Sequence, residues 1–192
     1  MRLILGSSSP YRKALLQRLM IPFDIVNPDI NETPRAGESA IELVERLAIE
    51  KAQAVAANEP GALVIGSDQV AVHDGQIIGK PRDHAHAVEQ LRAASGRTIT
   101  LYTGLALVNS TTGKVQSSVV PYTVTFRVLK DDQIEQYLKK EQPYGCSGSL
   151  RADGLGIVLL QAFAGDDPNA LIGLPLIELV RMLEFEGVDL LD

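Results

Sequence analysis

The sequence predicts a mixed α/β fold in which helices flank one twisted central sheet. Runs of apolar or β-branched residues of strand length alternate with segments of helical periodicity along the whole chain. Two hairpin signals interrupt that alternation, so antiparallel pairs are expected beside parallel ones. No repeat, low-complexity tract or linker-like segment divides the 192 residues. We therefore expect a single domain over residues 1–192.

The first expected element is a short apolar strand over residues 2–6, which leads through the serine turn at 7–9 into a helix. A serine cap followed by Pro10 is a typical helix start, and helical periodicity runs from Arg12 to Met20. A strand, a turn of small residues and a helix N-terminus also form an anion site, to which the serine hydroxyls and Arg12 would add donors. Plain capping explains the same serines, so both interpretations stay open.

A second short strand is expected at 23–26, followed by a polar loop and an amphipathic helix over 40–57. Glu32 lies in the loop beside Pro34, where a structural role is hard to name, although a solvated surface carboxylate is the ordinary case. Lys51 lies next to the apolar side of the helix. Periodicity alone favours an ammonium group that extends to solvent over one that reaches inward.

The segment 62–80 contains the strongest functional signal. Its apolar start at 62–65 predicts a buried strand, which we expect to end at Gly66–Gln69, so that Asp68 emerges where the strand leaves the core. Ligands bind at the carboxyl ends of strands in open α/β sheets, although Asp68 would also serve as a turn cap. A hairpin around Asp74 and Gly75 returns the chain to Lys80 and brings a cation towards that carboxylate.

The rest of the chain predicts two long strands and several shorter elements. The expected elements are a helix that starts near Asp83 and stops at Ser95, a hairpin of strands at 98–109 and 114–128, a helix at 131–139 capped by Asp131 or Asp132, a Gly/Ser-rich loop at 143–156, a strand at 155–160 and a C-terminal helix at 176–185.

Composition narrows the classes of function. The net charge of −6 argues against non-specific nucleic-acid binding, yet it leaves room for a small anionic ligand in a cleft lined by a few cations. Cys146 is the only cysteine, which predicts a reducing, cytoplasmic setting, and no apolar stretch is long enough for a membrane helix. His84 and His86 are two positions apart and cannot form the i, i+4 pair of a zinc helix.

The candidate residues together indicate phosphoanhydride hydrolysis. The serine turn, Arg12, Lys51 and Lys80 would neutralise a polyphosphate, whereas Glu32 and Asp68 are hard oxygen ligands suited to Mg²⁺ or Mn²⁺. Such a reaction needs neutralised charge on the phosphoryl group, a divalent ion and a carboxylate that acts on water.

Collinear motifs along almost the whole chain add a specific resemblance. They include S-S-S-P-Y-R at 7–12, E-T-P at 32–34, R-L-A-I-E-K-A at 46–52, G-S-D-Q at 66–69, G-K-P at 79–81, S-G-S at 147–149 and G-D-D-P-N at 165–169. This set resembles the Maf family of nucleotide pyrophosphatases. The resemblance implies a two-lobed α/β fold like that of the inosine triphosphate pyrophosphatases, with a cleft between the lobes. It also implies cleavage of a nucleoside triphosphate between the α- and β-phosphates with a divalent cation.

The resemblance also assigns roles by motif position. It implies Asp68 as general base with Lys51 and Lys80 beside it in catalysis, and Glu32 with Asp68 as ligands of Mg²⁺ or Mn²⁺. The substrate-binding residues that it implies are Ser7, Ser8, Ser9 and Arg12.

Tyr11, Gln69 and Asp153 resemble the YceF-like branch of that family, whose substrate is 7-methyl-GTP. A methylated guanine carries a positive charge, which suits an aromatic face and a carboxylate; Asp153 would also accept from the guanine N1–H and amine. That branch usually has Trp in place of Tyr11 and Glu in place of Asp153.

Two other functions stay open: a pyrophosphatase selective for dTTP and UTP, and a nucleotide-binding regulator of cell division. A dinucleotide-dependent oxidoreductase is disfavoured because no G-x-G-x-x-G motif follows the first strand. A homodimer is expected only by analogy with the family.

Overall fold

The computed structural model describes residues 2–191, in which helices flank a seven-stranded mixed sheet. The fold class predicted from the sequence is confirmed. The strands are β1 (Arg2–Gly6), β2 (Asp24–Val26), β3 (Ala62–His73), β4 (Gln76–Ile78), β5 (Thr98–Asn109), β6 (Val115–Phe126) and β7 (Leu160–Ala164). The helices are α1 (Pro10–Gln17), α2 (Ala40–Ala56), α3 (His84–Ala94), α4 (Asp131–Glu141), α5 (Pro168–Ile172) and α6 (Leu176–Phe185).

The strand order is β2-β1-β3-β5-β6-β7, with β4 added to the far half of β3. β1 is parallel to β2 and β3, and the other pairs are antiparallel. On one side, β3 pairs with β1 as far as Gly66 and with β4 from Ala71 onward. Residues 67–70 therefore have no neighbouring strand on that side, and the sheet is open there.

Helix α2 covers one face of the sheet, where Ala48 and Ala52 pack against Ile4 and Val64. Its capping box, made by Ser39 and Glu42, satisfies N–H groups at the first turn of the helix. The small side chains let the helix axis approach the strands closely. Two glycines of the sheet, Gly66 and Gly104, also allow this close approach.

The opposite face carries two separate apolar clusters. Leu5 and Ile65 belong to the cluster under α1 and α6, whereas Leu101 and Phe126 belong to the cluster under α3 and α4. Two groups of helices thus form two lobes on a shared sheet, and the opening at residues 67–70 lies between them.

Three predicted elements differ from the structure. β3 does not end at Gly66–Gln69, because β5 pairs with it continuously from Leu63 to Val72. The strand expected at 155–160 begins only at Leu160, since Leu155–Leu159 forms a 3₁₀ helix whose first N–H, that of Leu155, donates to the Glu141 carboxylate.

The predicted cap of α4 was also wrong: Asp131 and Asp132 lie inside the helix, and the Gln133 side chain accepts from the Lys130 N–H instead. Helix α5 was not predicted; it starts at Pro168 after an Asp167 cap. No helix in residues 2–191 combines the length and apolar character that crossing a bilayer requires.

Candidate active site

A cleft of about 650 Å³ opens where β3 lacks a neighbouring strand. The serine turn after β1 borders it on one side, and the segment after β4, which contains Lys80, borders it on the other. The loop between α4 and β7 closes a further side, because the Gly148 N–H donates to the Gly79 carbonyl oxygen at 3.1 Å.

Asp68 lies within β3 at this opening and points towards α2. Side chains alternate along a strand, so Asp68 shares a face with Val64 and Val70, and both of these pack under α2. The Lys51 ammonium on α2 donates to Asp68 Oδ1 at 2.7 Å and lies 3.0 Å from Glu32 Oε1. One buried cation thus joins two carboxylates from different parts of the chain.

Lys51 does not extend to solvent as its helical periodicity favoured. It is 5% exposed, and Asp68 is 9% exposed. A buried ammonium requires an anionic partner, which Asp68 supplies from the sheet beneath the helix. Glu32, at 57% side-chain exposure, adds its charge from the loop before α2.

The serine turn is ordered by its own hydroxyls. Ser7 Oγ accepts from the Ser9 N–H at 3.1 Å, and Ser9 Oγ caps α1 by accepting from the Arg12 N–H. Ser8 is exposed to the cleft. The turn therefore caps α1 and also faces the cleft.

Arg12 is held at the same end of the cleft by a backbone carbonyl. Its Nε donates to the Gly173 carbonyl oxygen at 2.8 Å, and the Ser67 hydroxyl donates to the same oxygen. Burial lowers the pKa of the Arg12 guanidinium, and the charges of Asp68 and Glu32 act in the opposite direction. Arg12, Lys51 and the two carboxylates consequently share one electrostatic environment.

Gln69 points to the other face of β3, where α5 lies. Its Nε2 donates to the carbonyl oxygens of Ala170 and Leu171 and to Thr103 Oγ1. These bonds fix α5 and thereby the Gly173 carbonyl that holds Arg12. The predicted role of Gln69 in base selection stays a prediction.

The cleft is also lined by an aromatic ring and a group of charges. The Arg151 guanidinium carbon lies 5.3 Å from the centroid of the Tyr11 ring. Arg151 also contacts Asp153 Oδ1 at 3.4 Å and Glu141 Oε1 at 2.8 Å. Burial raises the pKa of both Tyr11 and Cys146, which keeps this thiol protonated and argues against a nucleophilic role.

All the site residues predicted from the sequence line this one cleft. They are Ser7, Ser8, Ser9, Tyr11, Arg12, Glu32, Lys51, Asp68, Gln69, Lys80 and Asp153. The structure brings Lys51, Asp68 and Glu32 into direct contact, whereas Lys80 is exposed on the cleft wall. Their individual roles stay predictions.

Residues 2–186 match the family model described as Maf-like protein. The chain belongs to the Maf family. Two relatives are similar over nearly the whole chain, and both carry the name 7-methyl-GTP pyrophosphatase. The Nitrosococcus oceani protein is 57% identical over 98% of this chain and 95% of its own length. The Pseudomonas aeruginosa protein is 54% identical over 98% of each chain.

A solved structure of a HAM1 protein from Coxiella burnetii aligns with 66% of this Maf chain and 73% of its own, with a TM-score of 0.47 and 17% identity. The family resemblance stated from the motifs is confirmed by the sequence matches.

The carboxylates of this Maf cleft suit a divalent cation whose remaining ligands come from a substrate and water. No group of three or more His, Cys, Asp or Glu side chains with metal-site geometry occurs within residues 2–191. Glu32 and Asp68 nevertheless converge on a single cation, the Lys51 ammonium. One or two carboxylates together with phosphate oxygens and water form a common Mg²⁺ environment.

Sequence reasoning missed three participants. Arg151 lies in the glycine-rich loop at 143–156 and Glu141 lies just before it, but neither was among the predicted site residues, and side-chain motifs do not reveal the Gly173 carbonyl. The G-L-P motif at residues 173–175 was the one sequence signal near the Arg12 partner.

Proposed function

We propose that this Maf family member is a nucleoside triphosphate pyrophosphatase that converts 7-methyl-GTP to 7-methyl-GMP and pyrophosphate. One observation carries the proposal: a single cleft is lined both by the Lys51–Asp68 pair and by the Tyr11 ring with Asp153. The ion pair suits a polyphosphate, whereas the ring and the acid suit a cationic base. The names of relatives at more than 50% identity support the same substrate.

In the proposed reaction, water attacks the α-phosphorus and the bridging bond to the β-phosphate breaks. Asp68 accepts the proton that the water loses, and pyrophosphate leaves with the electrons of the broken bond. Lys51 fixes the orientation of the Asp68 carboxylate through the 2.7 Å hydrogen bond. A general base of this kind contributes roughly 10²- to 10⁴-fold to a rate.

The cations of the cleft stabilise the charge that develops on the phosphates. Arg12 on α1 and the exposed Ser8 both line the cleft, and Lys80 lines it from the segment after β4. The Gly173 carbonyl orients the Arg12 guanidinium, which reduces the reorganisation needed when the substrate binds.

We propose Mg²⁺ or Mn²⁺ as the cofactor, with Glu32 and Asp68 as its protein ligands. When bound, such an ion supplies charge neutralisation on phosphate oxygens. Glu32 is well suited to this role because it is more than half exposed and can turn from Lys51 towards a ligand.

In the same cleft, Tyr11 would stack on the methylated guanine and Asp153 would pair with its positive charge. Asp153 would also accept from the N1–H and amine of the base. Gln69 is the third residue that we propose for base selection.

We further infer a cytoplasmic enzyme whose partner is the nucleotide and not a nucleic acid, in keeping with the net charge of −6 and the lone Cys146. Residues 1–192 would act as one catalytic unit. The homodimer stays a prediction by family analogy.

A substrate panel tests the proposal. Rates are compared on 7-methyl-GTP, GTP, dTTP and UTP with Mg²⁺ or Mn²⁺, and the products are separated by anion-exchange chromatography. We expect 7-methyl-GTP to give the highest kcat/KM, with pyrophosphate and 7-methyl-GMP in equal amounts. A preference for dTTP and UTP would refute the base assignment, and release of orthophosphate alone would refute the bond assignment.

A further inference from the structure

Arg151 contacts Tyr11 and Asp153, two of the residues that we propose to bind the base. Its guanidinium lies 5.3 Å from the Tyr11 ring centroid, and its Nε lies 3.4 Å from Asp153 Oδ1. Planar guanidinium groups stack well on aromatic rings and pair with carboxylates. The cleft thus contains a flat cation that contacts both an aromatic ring and an acid.

A 7-methylguanine base is also a flat cation, and it would use the same two partners. We propose that Arg151 is an intramolecular competitor of the base, which must leave Tyr11 and Asp153 before the nucleotide binds. This inference rests on the proposed function for the identity of the base. Arg151 then sets the affinity for the nucleotide. It does so indirectly, because it must give up its contacts with Tyr11 and Asp153 before the base can use them.

Arg151 has a further anionic partner besides Asp153, and this partner can hold the guanidinium when Tyr11 and Asp153 are released. Its Nη1 contacts Glu141 Oε1 at 2.8 Å, and Glu141 is only 9% exposed and also accepts from the Leu155 N–H. The backbone stays fixed, because the Arg151 N–H donates to the hydroxyl of buried Tyr137. The 38% exposed Arg151 side chain can therefore release Tyr11 while it keeps its Glu141 contact.

The competition has a defined effect on the reaction. Binding of a nucleotide costs the contacts of Arg151 with Tyr11 and Asp153, so this cost weakens the binding of every nucleotide that enters. A retracted cation near Glu141 also repels a positively charged base more than a neutral one. Arg151 would thereby weaken binding of the product 7-methyl-GMP and promote its release.

The test is equilibrium titration with 7-methyl-GMP, which needs no turnover. At mildly acidic pH, where the methylated base is cationic, Arg151→Gln should lower the Kd by about three- to tenfold. The fold-decrease in Kd that Arg151→Gln causes should be no larger for GMP than for 7-methyl-GMP. Tripolyphosphate has no base and would contact only the residues that we propose to bind phosphate. It should therefore bind Arg151→Gln and the parent protein equally well.

Arg181→Gln is the matched control, because Arg181 is exposed on α6 and pairs only with Glu178 among the described residues. It should leave all three dissociation constants unchanged. Arg151→Lys keeps the charge and the reach towards Glu141 but loses the planar group, so its Kd should fall between those of the parent protein and Arg151→Gln. If Arg151→Gln does not fold, Arg151→Lys decides alone, and its Kd must then fall below that of the parent.

An unchanged or higher Kd for 7-methyl-GMP in Arg151→Gln would overturn the inference, as would a parent protein that does not bind 7-methyl-GMP. Equal weakening of tripolyphosphate binding would make Arg151 a phosphate ligand and would overturn it too. If the parent binds 7-methyl-GMP but does not hydrolyse 7-methyl-GTP, the proposed function fails while the competition by Arg151 stands.

Discussion

Gly66→Ala should damage both stability and activity, because it separates the helix and strand that carry Lys51 and Asp68. A Cβ at Gly66 would overlap the Ala48 carbonyl oxygen and lie 2.8 Å from the Ala52 nitrogen. Both atoms belong to the backbone of α2, so no side-chain rotation relieves the overlap.

The size of the effect follows from the distances. Ordinary carbon contacts begin near 3.4 Å, so α2 must move away from β3 by about 1 Å. Overpacking of this kind costs about 3 kcal/mol, which lowers the Tm of a chain of this length by about 6–12 °C. The same displacement stretches the 2.7 Å contact between Lys51 and Asp68. A 1 Å misplacement of catalytic groups lowers kcat/KM by about a hundredfold.

Thermal unfolding and hydrolysis of 7-methyl-GTP measure the two effects. Gly145→Ala is the stability control, since its Cβ would meet no atom within 4 Å and its φ is not positive. It should keep the parent Tm. A Gly66→Ala variant with the parent Tm and the parent kcat/KM would refute the claim that close helix–strand packing positions the site.

Two further predictions concern the supports of the site. The hydrogen bond from Arg46 lowers the pKa of Glu38 to about 2, so the Glu38 carboxylate stabilises the fold above its ordinary pKa, and this contribution disappears as the pH falls towards 2. Urea unfolding at several pH values should therefore show a stability difference between the parent and Glu38→Gln that is constant above about pH 5 and shrinks below it. Thr103→Val should lower the free energy of unfolding by about 1–2 kcal/mol, because the buried hydroxyl donates to the Ala170 carbonyl oxygen at 2.8 Å.

Each of these predictions has its own check. A pH-independent difference for Glu38→Gln would contradict the proposed linkage to Arg46. Thr98→Val is the control for Thr103, since the Thr98 hydroxyl contacts Thr125 at the exposed surface. Equal losses in the two threonine variants would show that burial of the Thr103 hydroxyl is irrelevant.

The sequence predicted the order of most strands and helices well, because their signals are local. Asp83 at the start of α3 and the long strands β5 and β6 needed only capping and propensity rules. The end of β3 was misplaced because Gly66 looks like a strand breaker in isolation. In the fold, the same glycine allows close helix packing, and continuous pairing with β5 keeps the strand extended through Asp68.

The site residues likewise divide into those that local sequence signals indicate and those that only the fold brings together. Asp68, Lys80 and the serine turn were found from their places at the ends of expected elements, and motif resemblance assigned their roles. The burial of Lys51 could not be predicted from helical periodicity, because its partner lies on a strand 17 residues away in sequence. Arg151 and Glu141 were missed since only the folded loop brings Arg151 to Tyr11 and Glu141 to Arg151.

The central claim is that Asp68 acts as the base in pyrophosphate release. Asp68→Asn keeps the shape of the side chain and can still accept from Lys51, but it removes the charge that partners a buried ammonium, so the Tm should fall. The activity comparison is therefore made on variant protein that is shown to be folded and to bind 7-methyl-GMP. Its pyrophosphate release from 7-methyl-GTP should fall at least a hundredfold, in the range of about 10²–10⁴ for a lost general base. A folded Asp68→Asn variant that releases pyrophosphate at the parent rate would contradict the account.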